Sequence, residues 1–291
     1  MRKTGTQAGG PKNRDRQVTD WNFDPIEISV LVLVGALYWR RARTLSRRGR
    51  AVSRLRLAAF AAGLLTLIAA LVSPLDTIAE ERLFSVHMLQ HLLLGDVGAL
   101  LLVLGLDGRL LQPLLRVRLV HRLRVLAHPL VALPLWAANF VVWHLPVLFD
   151  AALRHNAVHA LQHALFVTFG MLMWAALIEP LPGPAWFTAP WKIPYVVGMW
   201  LVMLVLSQIF IWSSHVYYAP YAHDATLWGL SHLADQKAGG GVMLVESALT
   251  MLPALVWVLL SVLRESEARQ RLVDAGVAPA TATRAARYGR A

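Results

Sequence analysis

The chain has 291 residues, of which 57% are hydrophobic and only 15% charged, and its mean hydropathy is +0.51. Soluble domains carry about a quarter charged residues, so this balance excludes an ordinary soluble domain and, with several long apolar runs, points to an all-α integral membrane protein. The net charge of +11 does not indicate a nucleic-acid partner, because the basic residues sit in the gaps between apolar runs, and the absence of cysteine excludes disulfides, thiolate metal sites and thiol nucleophiles.

In chain order, residues 1–23 form a polar, basic tail with no recognisable cleavable signal, residues 24–263 form one membrane domain, and residues 264–291 form a basic tail. Within the membrane domain the apolar runs predict seven transmembrane helices, at 24–40, 57–74, 84–106, 128–148, 157–179, 194–214 and 238–262. The first has only "IEISVLVLVGALYW" as its core, with Trp21 and Phe23 extending it at the interface. The gap after it carries eight arginines, the gap after the third helix five, and the C-terminal tail six. The gap after the fifth adds only Lys192, and the alternate gaps hold one basic residue each, Arg82, Arg154 and Lys237. This asymmetry predicts a cytoplasmic C-terminus and an external N-terminus, with His223 outside. Anionic lipids are the expected neighbours of the arginine-rich cytoplasmic gaps.

Between the third and fourth helices, "LLQPLLRVRLVHRLRVLAH" mixes Leu and Arg at helical spacing and predicts one amphipathic helix on the membrane surface. "LPGPAW" predicts a loop. After Arg264 the last helix is expected to extend beyond the membrane, and "GVAPATATRAARYGRA" to be disordered.

Nine of the eleven histidines fall on the outer side of this topology, with only His121 and His128 on the other. His155, His215, His223 and His232 each read as interfacial residues. Two pairs, His87/His91 and His159/His163, have i, i+4 spacing, which puts two imidazoles one turn apart on one helix face. Both helices enter from the same side, and His144 reaches that level from the other. The five side chains His87, His91, His144, His159 and His163 therefore predict an imidazole layer one to two turns below the outer surface. Without thiolates, such a layer suits zinc, copper, iron or nickel. Met88 and Met243, as thioethers, and the affinity order of divalent metals favour copper. Asp235 is a candidate acceptor that orients a ligand imidazole, Asp96 a candidate for proton movement or for bonding a neighbouring helix, as is Glu246. Asp76, in "SPLD", faces the outer side and reads as an accessory acid or a solvated loop residue.

The succession "HMLQH", "WHLP", "HALQHALF", "YYAPY" and "DQKAGGGVM" resembles the seven-helix CtaG family of membrane-embedded cytochrome c oxidase assembly factors over residues 57–262. The resemblance implies a bacterial plasma (inner) membrane protein, not an enzyme, that helps mature the haem–copper oxidase by handling copper. It carries over onto His87, His91, His144, His159, His163 and Asp235. The expected partner is the membrane-embedded catalytic oxidase subunit. The competing readings are a haem-binding electron carrier and a metal or proton transporter running inward through Asp96 and Glu246.

Overall fold

The computed structural model describes residues 19–222 and 227–288, so most of the N-terminal tail, His223 and the last three residues lie outside the described residues. Helices make up the regular structure. Helix α1 (Pro25–Arg47) starts at Asp24, whose carboxylate accepts from the Ile26 and Glu27 amides, with Pro25 at the first helical position. Helix α2 (Arg54–Val72) is capped by Ser53. Ser73 and Pro74 then end it and open the short α3 (Pro74–Glu81). A continuous helical rod follows: α4 (Phe84–Leu92), a π-helical turn over Leu93–Gly98, and α5 (Ala99–Leu104).

The expected amphipathic surface helix is broken. Its residues form α6 (Gly108–Leu115), α7 (Arg118–Leu123) and a 3-10 turn over Arg124–Ala127. Pro113 takes one backbone donor from α6, and no side chain caps α7. Leu114, Val117, Leu119, Leu123 and Val125 remain exposed, as befits a segment lying against an apolar phase.

Helix α8 (Pro129–Trp143) has 15 residues, shorter than the expected run 128–148, because Leu145–Pro146 starts a separate helix, α9 (Pro146–Arg154). Helices α10 (Asn156–Ile178) and α11 (Ala189–Trp212) follow, joined by the expected Pro/Gly loop. Helix α12 (His232–Asp274) has 43 residues, about 65 Å at the usual rise, and so outruns an apolar core of about 30 Å. The final stretch is not disordered: Pro279–Tyr288 forms α13, which packs back along α12.

Five of these segments are long and apolar enough to cross a membrane: α2, the α4–α5 rod, α10, α11 and α12. A sixth results if the α7 region and α8, bent by 78°, count as one span. Helix α1 falls short because Glu27, Arg40 and Arg41 lie within its first 18 residues. The described residues are thus all-helical, with five or six candidate membrane spans where the apolar runs predict seven.

Buried aromatics and methionines, among them Phe84, Met88, Trp174, Phe210 and Met243, form the main core between α4, α8, α10, α11 and α12. Tyr38, Phe60, Leu67 and Leu102 form a second core around α1, α2 and α5. Backbones approach closely where glycines face each other. A Cβ on Gly170 of α10 would overlap the Gly95 carbonyl of the π turn, and one on Gly239 would lie 2.6 Å from the Phe84 ring. These contacts fix the rod that carries His87 and His91 against α10 and α12, as small residues do between membrane helices.

Candidate metal centre

The two i, i+4 pairs and His144 lie together at one end of the bundle, all five side chains at most 5% exposed. His87 and His91 sit one turn apart on α4, with rings 4.3 Å apart. His159 and His163 sit likewise on α10, with rings 4.0 Å apart. Across the helix contact His87 is 5.5 Å from His159, and His91 is 5.7 Å from His163 and 6.1 Å from His144, ring to ring. The tightest group is His87, His91 and His159, whose ligand nitrogens all lie within 4.8 Å of one another. Three nitrogens around one ion at bonds near 2.0 Å stand roughly 3.3 Å apart, so small side-chain rotations would close the trio.

Hydrogen bonds decide which nitrogen each ring can offer. Burial, with Glu80 and Asp235 nearby, pushes the Tyr221 phenol well above its ordinary range, so it keeps its proton. That hydroxyl donates to the Ala79 carbonyl in a short bond. His87 Nδ1 is 2.8 Å from the Tyr221 oxygen and 3.2 Å from the Ala79 carbonyl, both of which accept from an Nδ1–H. His159 Nδ1 is 2.5 Å from Glu80 Oε1, and His144 Nδ1 is 2.6 Å from the Phe140 carbonyl. All three rings therefore carry the proton on Nδ1, which makes Nε2 the nitrogen each would present to a metal, the arrangement that metal-ligating imidazoles adopt. His91 differs. Its Nε2 is 2.8 Å from His87 Nε2, so one imidazole donates to the other and the pair is closed on itself. His91 Nδ1, His144 Nε2 and both nitrogens of His163 are buried without a hydrogen-bond partner. Buried polar atoms left this way are uncommon and costly, and an incoming cation would satisfy the lone pairs among them.

The accessory residues fall out differently. Asp235 does not orient an imidazole. It accepts from the Phe84 amide at 2.7 Å, the Ser85 amide at 3.1 Å and the Ser85 hydroxyl at 2.5 Å. It thus caps α4, whose own N-cap residue, Leu83, offers no side-chain bond. Asp76 is not a solvated loop acid but is 1% exposed, accepting from Gln90 at 2.7 Å and from Asn22 at 2.8 Å. Burial and then the nearby Glu80 push its carboxyl up to about 7. Asp96 lies in the π turn, where it accepts from the Trp174 indole at 2.8 Å and the Thr250 hydroxyl at 3.1 Å. Met88 and Met243 are packed into the aromatic core, Met88 against Gly239.

Sequence reasoning missed Glu80, Tyr221 and Glu27. Glu27 Oε1 of α1 lies 3.9 Å from His163 Nδ1. The segment before α1 also reaches this end: the Asn22 amide donates to the Val72 carbonyl at 3.0 Å, and the Thr77 hydroxyl to the Asp20 carbonyl at 3.1 Å. Glu80 could have been found from its i, i+4 spacing to Asp76 in "PLDTIAEE". For Tyr221 the only signal was its place in "YYAPY", and Glu27 had none. His155, at the N-terminus of α10, and His215 are exposed and stand outside the cluster.

The family described as cytochrome c oxidase caa3 assembly factor (Caa3_CtaG) matches residues 36–265. The chain is 27% identical over 270 residues to an uncharacterized protein of Mycobacterium bovis and to one of Mycobacterium tuberculosis. It is 25% identical over 277 residues to an uncharacterized protein of Mycobacterium leprae. These matches take in 87% of this chain but only 40–41% of each relative, so the chain spans about two fifths of the length of the curated relatives it matches. No solved structure matches.

Proposed function

We propose, from the premise that this chain belongs to the cytochrome c oxidase caa3 assembly factor family, that its histidine layer takes a copper ion as cargo for the oxidase's catalytic subunit. On this reading the protein is a non-enzymatic metallochaperone. The observation that carries it is the buried trio His87, His91 and His159, with ligand nitrogens within 4.8 Å of one another. Two of these rings are held at Nδ1, His87 by Ala79 and Tyr221 and His159 by Glu80, so Nε2 is the nitrogen each would present to an ion.

An all-imidazole set suits copper among the first-row metals, which it binds more tightly than the other divalent ions. His144 and His163, a ring's width away, give the ion alternative ligands for stepwise transfer. A haem between two imidazoles needs an open slot, whereas Phe149 lies 4.8 Å from His87 and Phe166 4.5 Å from His91, ring to ring. That packing favours a bare ion over the haem-carrier reading. The acids proposed for a transport path, Asp96 and Glu246, sit in a separate cluster with Trp174 and Thr250.

The arginine asymmetry orients the layer outward, with seven spans, an external N-terminus and a cytoplasmic C-terminus. The alternation of α1, α2, α4–α5, α8, α10, α11 and α12 supports this, since α1 starts beside the end of α2. The ion then lies at a depth where a membrane-embedded partner can take it sideways, without crossing hydrocarbon as a bare charge.

Metal content of the purified protein tests the site. Copper should bind the wild type, and His87→Ala, His91→Ala and His159→Ala should each weaken it at least about tenfold, while His121→Ala leaves it unchanged. Equal copper binding by all four variants sinks the site. Oxidase isolated from a strain lacking this protein should be short of copper, with its haem less affected; full copper occupancy sinks the delivery role. A reporter joined after Arg47 should be active only in the cytoplasm if the orientation holds.

A further inference from the structure

The end of the bundle opposite the histidines holds a second site. A half-open cavity of about 790 Å³ lies between the surface segment α6–α7, with its 3-10 turn, and the ends of α5 and α10. One wall is apolar, built from Val103, Leu106, Leu111, Met171, Leu172 and Ala175. The other is cationic, with Arg122 and Arg124 beside His121 and His128. We propose that this cavity binds one anionic phospholipid, its phosphate on Arg122, Arg124 and His128 and an acyl chain along the wall of α5 and α10.

Four observations support that occupant. Neither arginine has an ion-pair or hydrogen-bond partner among the described residues, and both are exposed. The one carboxylate on the lining, Glu179, is already used: one oxygen is 3.0 Å from Lys192 Nζ and the other is in a short bond to Arg287. That triad carries a net positive charge and leaves no anion to compete for the arginines. His128 is set as a donor, because its Nδ1 accepts from the Leu130 amide at 3.3 Å as the cap of α8, which leaves the proton of the neutral ring on Nε2. The surface segment exposes Leu114, Val117, Leu119, Leu123 and Val125, so the cationic wall sits where apolar side chains meet the headgroup layer. Trp186, its ring 5.9 Å from that of His128, has the amphipathic character of an interfacial anchor.

A free phosphate would use the arginines but not the apolar wall. A zwitterionic lipid would use the wall but bring a cation to the arginines. Only an anionic lipid matches both faces, and arginine's planar donors suit a phosphate. Each interfacial arginine is worth about fivefold in affinity for an anionic surface, so the pair should give about thirtyfold preference.

The test is native mass spectrometry of the purified full chain, titrated with phosphatidylglycerol, phosphatidylcholine or inorganic phosphate. Phosphatidylglycerol should bind with one-to-one occupancy and about thirtyfold preference over phosphatidylcholine, and inorganic phosphate should not displace it. Arg122→Gln with Arg124→Gln should abolish the preference, Arg122→Lys with Arg124→Lys should retain part of it, and Arg47→Gln with Arg48→Gln, in another basic patch, should leave it intact. Equal binding of the two lipids, an unchanged preference in the glutamine variant, or displacement by phosphate would each overturn the proposal. Far-ultraviolet circular dichroism of the glutamine variant must match the wild type; if it is unfolded, the lysine variant and the lipid comparison on the wild type decide the matter.

Discussion

At the residue scale, the five imidazoles differ in what holds them, and that difference makes them separable. His159 is fixed by Glu80, His87 by Tyr221 and the Ala79 carbonyl, and His144 by its own helix. Removing an oxygen that orients a metal-bound imidazole commonly costs 10- to 100-fold in metal affinity. Glu80→Ala should therefore lower copper affinity by about that much, and Glu80→Gln by less, because its amide oxygen still accepts from Nδ1. Chelator competition on the purified variants measures both. Affinity in Glu80→Ala equal to the wild type would show that His159 needs no such support. The spacing of the two pairs was legible in the sequence because an i, i+4 relation is local and a helix fixes its geometry. The partners were not. Glu80 and Tyr221 reach the layer only through tertiary folding: the i, i+4 spacing of Glu80 to Asp76 marks a shared helix face but not what that face meets. Asp76 illustrates this, as a loop acid in sequence that is sealed under Asn22 and Gln90 in the fold.

At the element scale, α4 depends on a residue about 150 positions away. Its first amides are satisfied by Asp235 of α12, not by a neighbour in sequence. Loss of a cap costs about 1 kcal/mol, and more when the donors left behind are buried. Asp235→Ala should lower the melting temperature and weaken copper binding together, because His87 lies three residues inside the capped turn. Asp235→Asn should recover only part of the stability, because its amide keeps one accepting oxygen where the carboxylate uses two. Thermal unfolding with and without copper distinguishes this from a direct ligand, whose loss would erase the copper-dependent shift while barely moving the metal-free Tm. Sequence reading placed the long apolar rods near their observed positions because hydropathy is summed over many residues. It missed the broken surface helix, where Pro113 and uncapped ends override the Leu/Arg period, and the helix α13, whose order comes from packing against α12.

At the scale of the whole molecule, the two ends of the bundle are tied in different ways. Away from the histidines, Glu179 sits in a left-handed conformation at the end of α10 and is held by Lys192 and Arg287. Arg287 thereby fastens the last helix to the α10–α11 loop. Breaking one partner of a buried charge group costs about 3–5 kcal/mol, softened here because Lys192 remains. Arg287→Ala should release α13 to proteolysis and leave copper binding at the far end unaltered; limited digestion with copper titration on the same sample checks both.

At the histidine end the tie is lighter. Asp20, Asn22 and Glu27 lie before residue 36, where the family match begins, yet they reach α2, α3 and His163 by three hydrogen bonds and one longer contact. Bonds of this kind net about 1 kcal/mol each and open locally long before the fold does. Their consequence is one of tempo. On the copper reading, the imidazoles would set how tightly an ion is held at equilibrium, and the segment laid against that end would set how long an ion dwells and how quickly another replaces it. Asn22→Ala should accordingly speed metal exchange in a stopped-flow experiment while shifting the dissociation constant little, and an exchange rate equal to the wild type would assign the dwell time to the histidines alone.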